Sequence, residues 1–132
     1  MIDRKKLSVR LIKLLVSFFI LDFVATKFYL YFSIWYFDMI MHLVGGAALA
    51  LFVMWLFSIK VDQKQGIFTI ILGVLILGIG WEAFEFVVKQ NVSEKGFNFI
   101  DTFSDLCFDL AGGLFALVYF TKGIMKTEAS TL

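Results

Sequence analysis

Four long apolar stretches constrain this chain more than any other feature of its sequence. They cover residues 7–31, 38–59, 66–88 and 101–120, and each is close to the roughly 20 residues that a transmembrane helix needs. Hydrophobic residues make up 61% of the 132 residues, and the mean hydropathy of +0.90 lies far above that of a soluble domain. The sequence therefore predicts an all-α membrane protein, with residues 1–132 forming a single domain of four transmembrane helices.

Basic residues are distributed unevenly between the two ends of these stretches. Lys27, Lys89 and Lys95 fall on one side, and the other nine of the 12 Lys and Arg residues fall on the opposite side. Because basic residues are enriched in cytoplasmic loops, we predict an up-down-up-down bundle in the cell (inner) membrane, with both termini cytoplasmic. The first stretch begins as a signal peptide does, but no small-x-small cleavage site follows it, so we expect a retained helix.

The overall charge and the cysteine content narrow the classes of function. A net charge of +1 gives no indication of a nucleic-acid partner. The single cysteine, Cys107, excludes an internal disulfide and any cysteine-based zinc motif. We expect membrane lipids as partners, together with a lipid-linked or cell-envelope substrate if the protein is an enzyme. Association of several copies of this short chain into an oligomer is also compatible with the sequence.

Acidic residues lie within the apolar stretches, where an ionised side chain costs at least a few kcal/mol and usually has a function. Spacings of three or four residues place side chains on one face of a helix. In the predicted topology, each group of polar residues with this spacing lies at the outer end of its helix. We therefore predict one site in the outer half of the bundle, formed by these residues: Asp38, His42, Glu82, Glu85, Asp101, Asp105 and Asp109.

Purely structural explanations compete for some of these residues. Asp38 and Asp101 are each candidates for a helix N-cap, and residues 102–105 read as a capping box. Asp109 lies too deep to cap a helix. Glu82 and Glu85 lie near a helix C-terminus, where the helix dipole disfavours negative charge. His42 is either a satisfied buried histidine or a ligand or acid–base group.

Six carboxylates facing one imidazole need compensating charge in a low-dielectric pocket. Three solutions stay open: protonation within coupled carboxyl pairs, a bound divalent metal cation, or a positively charged substrate. Carboxylate oxygens with one imidazole suit Mg²⁺, Mn²⁺, Ca²⁺, Fe²⁺ or Zn²⁺. In the metal hypothesis all seven residues are candidate ligands, and the candidate catalytic groups are His42, Glu82 and Glu85.

These motifs resemble those of small inner-membrane proteins of the VanZ-like and YjdF-like type. The resemblance covers the second to fourth stretches and rests on Asp38-x-x-x-His42-x-x-Gly45-Gly46, Trp81-Glu82-x-x-Glu85 and Asp101-x-x-x-Asp105-x-x-x-Asp109-x-x-Gly112. The VanZ-like pattern has Gln and Asn where this chain has Glu85 and Asp109, so the chain is nearer the YjdF-like pattern. The resemblance implies a shared fold and polar site, and a link to teicoplanin resistance for VanZ-like proteins, but no catalytic role for any residue.

Three functions are compatible with these observations. The first is a metal-dependent membrane enzyme acting on a lipid or cell-envelope substrate, in which metal activates water and polarises an oxygen of the substrate. The second is a cation- or proton-coupled transporter or ion-binding protein, since acids within membranes are typical of proton relays. The third is a non-catalytic envelope accessory protein of the VanZ-like type. We favour the first over the second.

Overall fold

The computed structural model of the chain describes residues 4–59, 64–92 and 98–129, and the regular secondary structure in these ranges is entirely helical. It consists of five helices: α1 (Arg4–Lys27), α2 (Leu30–Ser33), α3 (Phe37–Phe57), α4 (Lys64–Val92) and α5 (Phe99–Ala129). Three helical segments are long and apolar enough to cross a membrane: Phe37–Phe57, Lys64–Val88 and Phe99–Tyr119. The prediction of an all-α chain with long apolar helices is confirmed.

Helix α1 is long enough to cross a membrane but falls outside that set. Arg10, Lys13 and Asp22 lie within its 24 residues, and every stretch of 18 residues in the helix contains at least three charged side chains. It ends at Lys27, and Tyr29 then adopts a left-handed conformation with φ 56°. The predicted first stretch, residues 7–31, therefore falls on α1 and on the start of α2, with a change of direction between them.

Helices α3 and α5 form the most extensive contact between elements. Their backbones approach closely because glycines lie at the crossing. A Cβ atom at Gly46 would collide with the backbone carbonyl of Asp109, and one at Gly112 would collide with that of Leu43. Helices α1 and α4 each pack on α3. The α3–α5 pair is therefore the centre of the bundle.

The direction of each helix decides which residues meet. The Arg4 guanidinium, at the start of α1, donates a hydrogen bond to the carbonyl of Trp55, near the end of α3 (3.3 Å). Helix α1 therefore runs antiparallel to α3. Towards the opposite end of α3, His42 meets Glu82 from the second half of α4 and Asp105 from the start of α5. Acidic residues of α3, α4 and α5 thus come together around His42 towards one end of the bundle. Arg4 lies at the other end.

The structure corrects both expected helix caps. Helix α3 begins at Phe37 with Tyr36 at the N-cap position, which places Asp38 within the first turn. Helix α5 begins at Phe99, and the side-chain oxygen of Asn98 accepts a hydrogen bond from the backbone N–H of Asp101 (3.4 Å). Asn98 therefore takes the capping position of α5, so the expected N-cap at Asp101 and the expected capping box over residues 102–105 are wrong. Asp38 and Asp101 still lie in the first turns of α3 and α5, where a negative charge interacts favourably with the helix dipole.

Candidate metal centre

His42 is the side chain around which the acidic residues gather. It lies on the buried face of α3 and is 5% exposed. Its Nδ1 lies 3.3 Å from Oδ1 of Asp109 on α5. When Nδ1 carries the proton, it donates to this carboxylate, and Nε2 presents a lone pair to the other side of the ring.

Three carboxylates surround Nε2 of His42 on that other side. The distances from Nε2 are 3.6 Å to Oε1 of Glu82, 3.9 Å to Oδ2 of Asp105 and 4.0 Å to Oδ1 of Asp38. All three exceed the length of an N–H···O hydrogen bond. The acids therefore face the imidazole nitrogen from α4, α5 and α3 without binding to it directly.

Two of the acids are buried deeply enough for their charge to matter. Asp105 is 2% exposed and Asp109 is 3% exposed. The Oδ2 atom of each accepts no hydrogen bond within the part of the chain that the structure describes. A buried carboxylate oxygen without a hydrogen bond is costly. These two atoms therefore need a proton or a cation.

Ligand atoms converge in two groups that share His42. One group is Asp38, His42 and Asp105, and the other is His42, Glu82 and Glu85, and within each group the ligand atoms lie within 4.8 Å of one another. Ligands about 2.1 Å from a shared ion are separated by roughly 3–3.5 Å. The observed distances of 3.6–4.0 Å from Nε2 therefore need only a small closure around an ion.

The sequence predicted seven site residues, and the structure brings six of them together. We call this set the His42 cluster: Asp38, His42, Glu82, Glu85, Asp105 and Asp109. Asp101 is exposed in the first turn of α5 and belongs to neither group of converging ligand atoms. Asp109 contacts the side of the ring opposite to the other acids, so its position suits orienting His42. The metal-binding role of all seven residues stays a prediction.

A groove of about 500 Å³ opens beside the cluster, between α1 and α4 and above α3. One end is lined by Asp38, His42, Glu85 and Asp109, and most of the remaining lining is aliphatic or aromatic. Asp22 and Tyr31 also line it, and the Tyr31 hydroxyl donates a hydrogen bond to Oδ1 of Asp22 (2.7 Å). No lysine or arginine is found among the described lining residues.

The Asp22–Tyr31 pair was missed as part of the site by reasoning from the sequence. Asp22 interrupts a long apolar run, and that interruption was the available signal. Its depth did not match the outer ends of the other helices in the predicted topology. The turn at Tyr29 is what brings Tyr31 to Asp22.

The chain was compared with known proteins. A family model described as "Predicted membrane protein (DUF2238)" matches residues 3–125. The search of curated proteins found no match, and the search of solved structures also found none. The match supports a family of small membrane proteins, while the resemblance to VanZ-like or YjdF-like proteins in particular stays a prediction.

Proposed function

The chain belongs to the DUF2238 family of predicted membrane proteins, and we propose that it is a four-span protein of the cell (inner) membrane that binds a divalent metal ion in the His42 cluster. Because Asp105 and Asp109 are both buried and close to one imidazole, the cluster would carry more negative than positive charge with its acids ionised. A divalent cation supplies the missing charge.

The proposed topology has α1, α3, α4 and α5 crossing the membrane up-down-up-down, with both termini cytoplasmic. Its support is the clustering of basic residues at the start of α1 and around the start of α4, including Arg4 and Lys64. Arg4 lies at the end of α3 opposite to His42. With the basic end in the cytoplasm, the His42 cluster lies in the outer half of the bilayer.

One observation carries the metal proposal. The Nδ1 side of His42 faces a single carboxylate at hydrogen-bonding distance, whereas its Nε2 side faces three carboxylates at 3.6–4.0 Å. Histidines that bind metal usually donate the other ring N–H to a carboxylate or carbonyl, which fixes the ring and its tautomer. The arrangement of Asp109 and His42 matches that pattern.

Each residue of the His42 cluster has a distinct proposed part. His42 Nε2, Glu82 and Asp105 form the inner ligand set, Asp38 and Glu85 complete it from the groove side, and Asp109 orients the imidazole. Oxygen ligands with one nitrogen suit Mg²⁺, Mn²⁺, Ca²⁺, Fe²⁺ or Zn²⁺. A bound ion of this kind would supply Lewis acidity and an activated water molecule.

The metal proposal is tested on purified full-length protein in detergent. Elemental analysis after washing should find metal in stoichiometric amount, and titration of chelated protein should give a saturable isotherm. The substitutions His42→Gln and Glu82→Gln should each abolish high-affinity binding. Asp101→Asn is the matched control, since it removes an acid that lies outside both ligand groups, and it should bind as the unmodified protein does. Equal loss in all three variants, or no metal in the unmodified protein, would contradict the proposal.

We propose further that the metal-bound protein is an enzyme acting on a lipid or cell-envelope substrate. The support is the groove, which joins the cluster to a long apolar surface. Glu85 both lines the groove and belongs to a ligand group with His42. Glu85 is therefore placed to accept a proton from water or from a substrate hydroxyl beside the cluster, with His42 and Glu82 as the other catalytic groups.

The enzymatic proposal is tested by incubating the reconstituted, metal-loaded protein with a membrane lipid extract and analysing the lipids by mass spectrometry. A lipid species should be consumed by the unmodified protein and by Asp101→Asn. It should persist with Glu85→Gln, which keeps the shape of the side chain and removes its basicity. An unchanged lipid profile in every sample would contradict an activity on these lipids while leaving the metal site intact.

A proton- or cation-coupled carrier is the second candidate. It is favoured by the Asp22–Tyr31 hydrogen bond, which lies in the same groove as the His42 cluster. Acid and hydroxyl groups in succession are typical of proton relays in membranes. Liposomes containing the protein and a trapped pH indicator should then show proton or cation flux that Asp22→Asn removes. Flux equal to that of empty liposomes would exclude this function.

A further inference from the structure

The groove beside the His42 cluster is shaped like a site for one lipid chain. Its lining on α3 extends from Asp38 to Phe52, which is about 21 Å at roughly 1.5 Å per residue. One leaflet of the hydrocarbon core is about 15 Å thick. The groove volume of about 500 Å³ lies within the usual range of small-molecule sites, roughly 300–1,000 Å³.

Polarity changes along the length of the groove. Asp38 and Glu85 line the end where α3 begins and α4 approaches its end. Farther along, the lining comes from apolar side chains of three helices, including Leu15, Phe52 and Ile76. A ligand that matches this lining has one polar end and one long apolar chain.

The charge of the polar end selects the kind of headgroup. Its titratable lining consists of Asp22, Asp38, Glu85, Asp109, His42 and Tyr31, and the described lining contains no lysine or arginine. Asp109 lies deepest among them, because it is 3% exposed and its Oδ1 and Oδ2 face His42 and Gly78. The acids that face a ligand in the groove are therefore Asp22, Asp38 and Glu85. An anionic headgroup is repelled by such a surface, whereas a cationic headgroup is attracted.

Aromatic rings at the same end give independent support for a cation. Trp81 and Phe84 both line the groove, with ring centroids 5.6 Å apart and planes inclined at 41°. Both precede Glu85 on α4 by one helical turn or less. Ammonium groups bind the faces of aromatic rings, and rings beside a carboxylate are a common way to hold alkylated ammonium groups.

We propose that this groove binds one chain of a membrane lipid whose headgroup carries an ammonium group, with the ammonium at the end lined by Glu85, Trp81 and Asp22. The proposal goes beyond the metal site, with which it shares Glu85. Glu82 and Asp105, the inner metal ligands, are not among the described groove-lining residues. The metal and the ammonium headgroup therefore rely mainly on different acids.

Gly80 provides the substitution that tests the groove directly. It lines the groove, and a Cβ atom added there would meet no other atom within 4 Å. Gly80→Leu therefore fills the groove without a collision at Cβ, and leucine favours a helix more than glycine does. Gly80→Ala is the matched control, because it brings the same change in backbone preference and leaves most of the groove open.

The experiment uses Trp81 as the sole reporter, with the other two tryptophans of the chain, Trp35 and Trp55, replaced by Phe. The full-length protein is reconstituted into bilayers that contain brominated phosphatidylethanolamine or brominated phosphatidylglycerol, and quenching of Trp81 fluorescence is measured. We expect an apparent affinity about tenfold higher for the ammonium lipid, a preference equal to roughly 1.4 kcal/mol. Gly80→Ala should keep this preference, and Gly80→Leu should lose it. The double substitution Asp22→Asn/Glu85→Gln should lose it as well.

Each other outcome overturns the proposal. Equal quenching by the two lipids would show that the headgroup is not recognised. A preference that survives in Gly80→Leu would show that the lipid binds outside the groove. A preference that survives in Asp22→Asn/Glu85→Gln would show that the ammonium group does not bind at the acidic end. The measurement is repeated with EDTA, where the same preference is expected, so a failure of the metal site leaves this result unchanged.

Discussion

The imidazole of His42 and the carboxylate of Asp109 meet across the closest helix crossing of the bundle, with Nδ1 of the histidine 3.3 Å from Oδ1 of the aspartate. The backbone carbonyl of the same aspartate lies against Gly46, one turn along α3 from the histidine. The side chain and the backbone of Asp109 thus contact α3 at successive turns. Helix packing and ring orientation are therefore parts of one arrangement.

The first prediction concerns that orientation. Asp109→Asn keeps an acceptor for Nδ1 but removes the charge, and Asp109→Ala removes both. Since partners that orient a metal-binding histidine typically contribute 10–100-fold to metal affinity, we expect losses of about 10-fold for Asn and about 100-fold for Ala. The measurement is a metal titration by calorimetry. A larger loss for Asn than for Ala would contradict the orienting role.

The second prediction concerns the helix crossing. A Cβ atom at Gly46 or Gly112 would collide with a backbone carbonyl, which cannot move away as a flexible side chain can. Overpacking of this kind costs about 1–3 kcal/mol, so Gly46→Ala and Gly112→Ala should each lower the unfolding temperature in detergent. Gly80→Ala is the control, since its Cβ meets nothing within 4 Å. It should be neutral or stabilising by about 0.5–1 kcal/mol. Equal effects at all three glycines would show that α3 and α5 do not approach as closely as described.

The third prediction is that the effect of Asp105→Asn on the unfolding temperature depends on whether metal is present. Its Oδ2 is buried without a hydrogen bond among the described residues, and it faces His42 at 3.9 Å. In chelated protein, Asp105→Asn replaces an acid by a neutral group of similar shape, so the unfolding temperature should stay the same or rise. The same variant should lose the stabilisation that metal gives to the unmodified protein, about 2.7 kcal/mol at a metal concentration 100-fold above Kd.

Thermal unfolding with and without metal measures both effects at Asp105. Asp101→Asn serves as the control, because Asp101 is exposed and outside the ligand groups. It should respond to metal as the unmodified protein does. A lower unfolding temperature for Asp105→Asn in the chelated protein would instead indicate that this acid stabilises the fold by itself.

The convergence of the His42 cluster could be predicted from the sequence because charged residues are expensive in an apolar helix. Asp105 and Asp109 are one turn apart on α5, and Glu82 lies in the second half of α4. Antiparallel packing then brings the end of one helix to the start of the next. Asp101 has the same spacing from Asp105, but it lies in the first turn and is exposed. Spacing identifies a helical face, whereas it does not show where along that face the bundle ends.

The helix caps and the groove could not be predicted in the same way. Asn98 and Asp101 are both good capping residues, and they lie three positions apart. The choice between them depends on where α5 begins, and the local sequence pattern locates that position only to within about one helical turn. The groove depends on how α1 and α4 pack on α3, and on the left-handed turn at Tyr29. Neither the packing of these helices nor the turn at Tyr29 can be recognised from the sequence pattern of an apolar stretch.

The fourth prediction tests the side of the membrane on which the His42 cluster lies. The single cysteine, Cys107, is exposed and is first replaced by Ser. A new cysteine is then introduced in place of Asp101, at the start of α5, or in place of Lys64, at the start of α4; both positions are exposed. Because α4 runs towards the cluster and α5 away from it, these positions lie at opposite ends of the bundle.

If basic residues keep the start of α4 in the cytoplasm, Asp101→Cys should react with a membrane-impermeant maleimide in intact cells. Lys64→Cys should react only after the cells are permeabilised, which also serves to show that this cysteine is accessible. The reverse pattern would place the termini outside and the cluster at the cytoplasmic face. The metal ligands would then draw on the cytoplasmic pool of ions, and a substrate from the outer envelope would no longer have direct access to the groove.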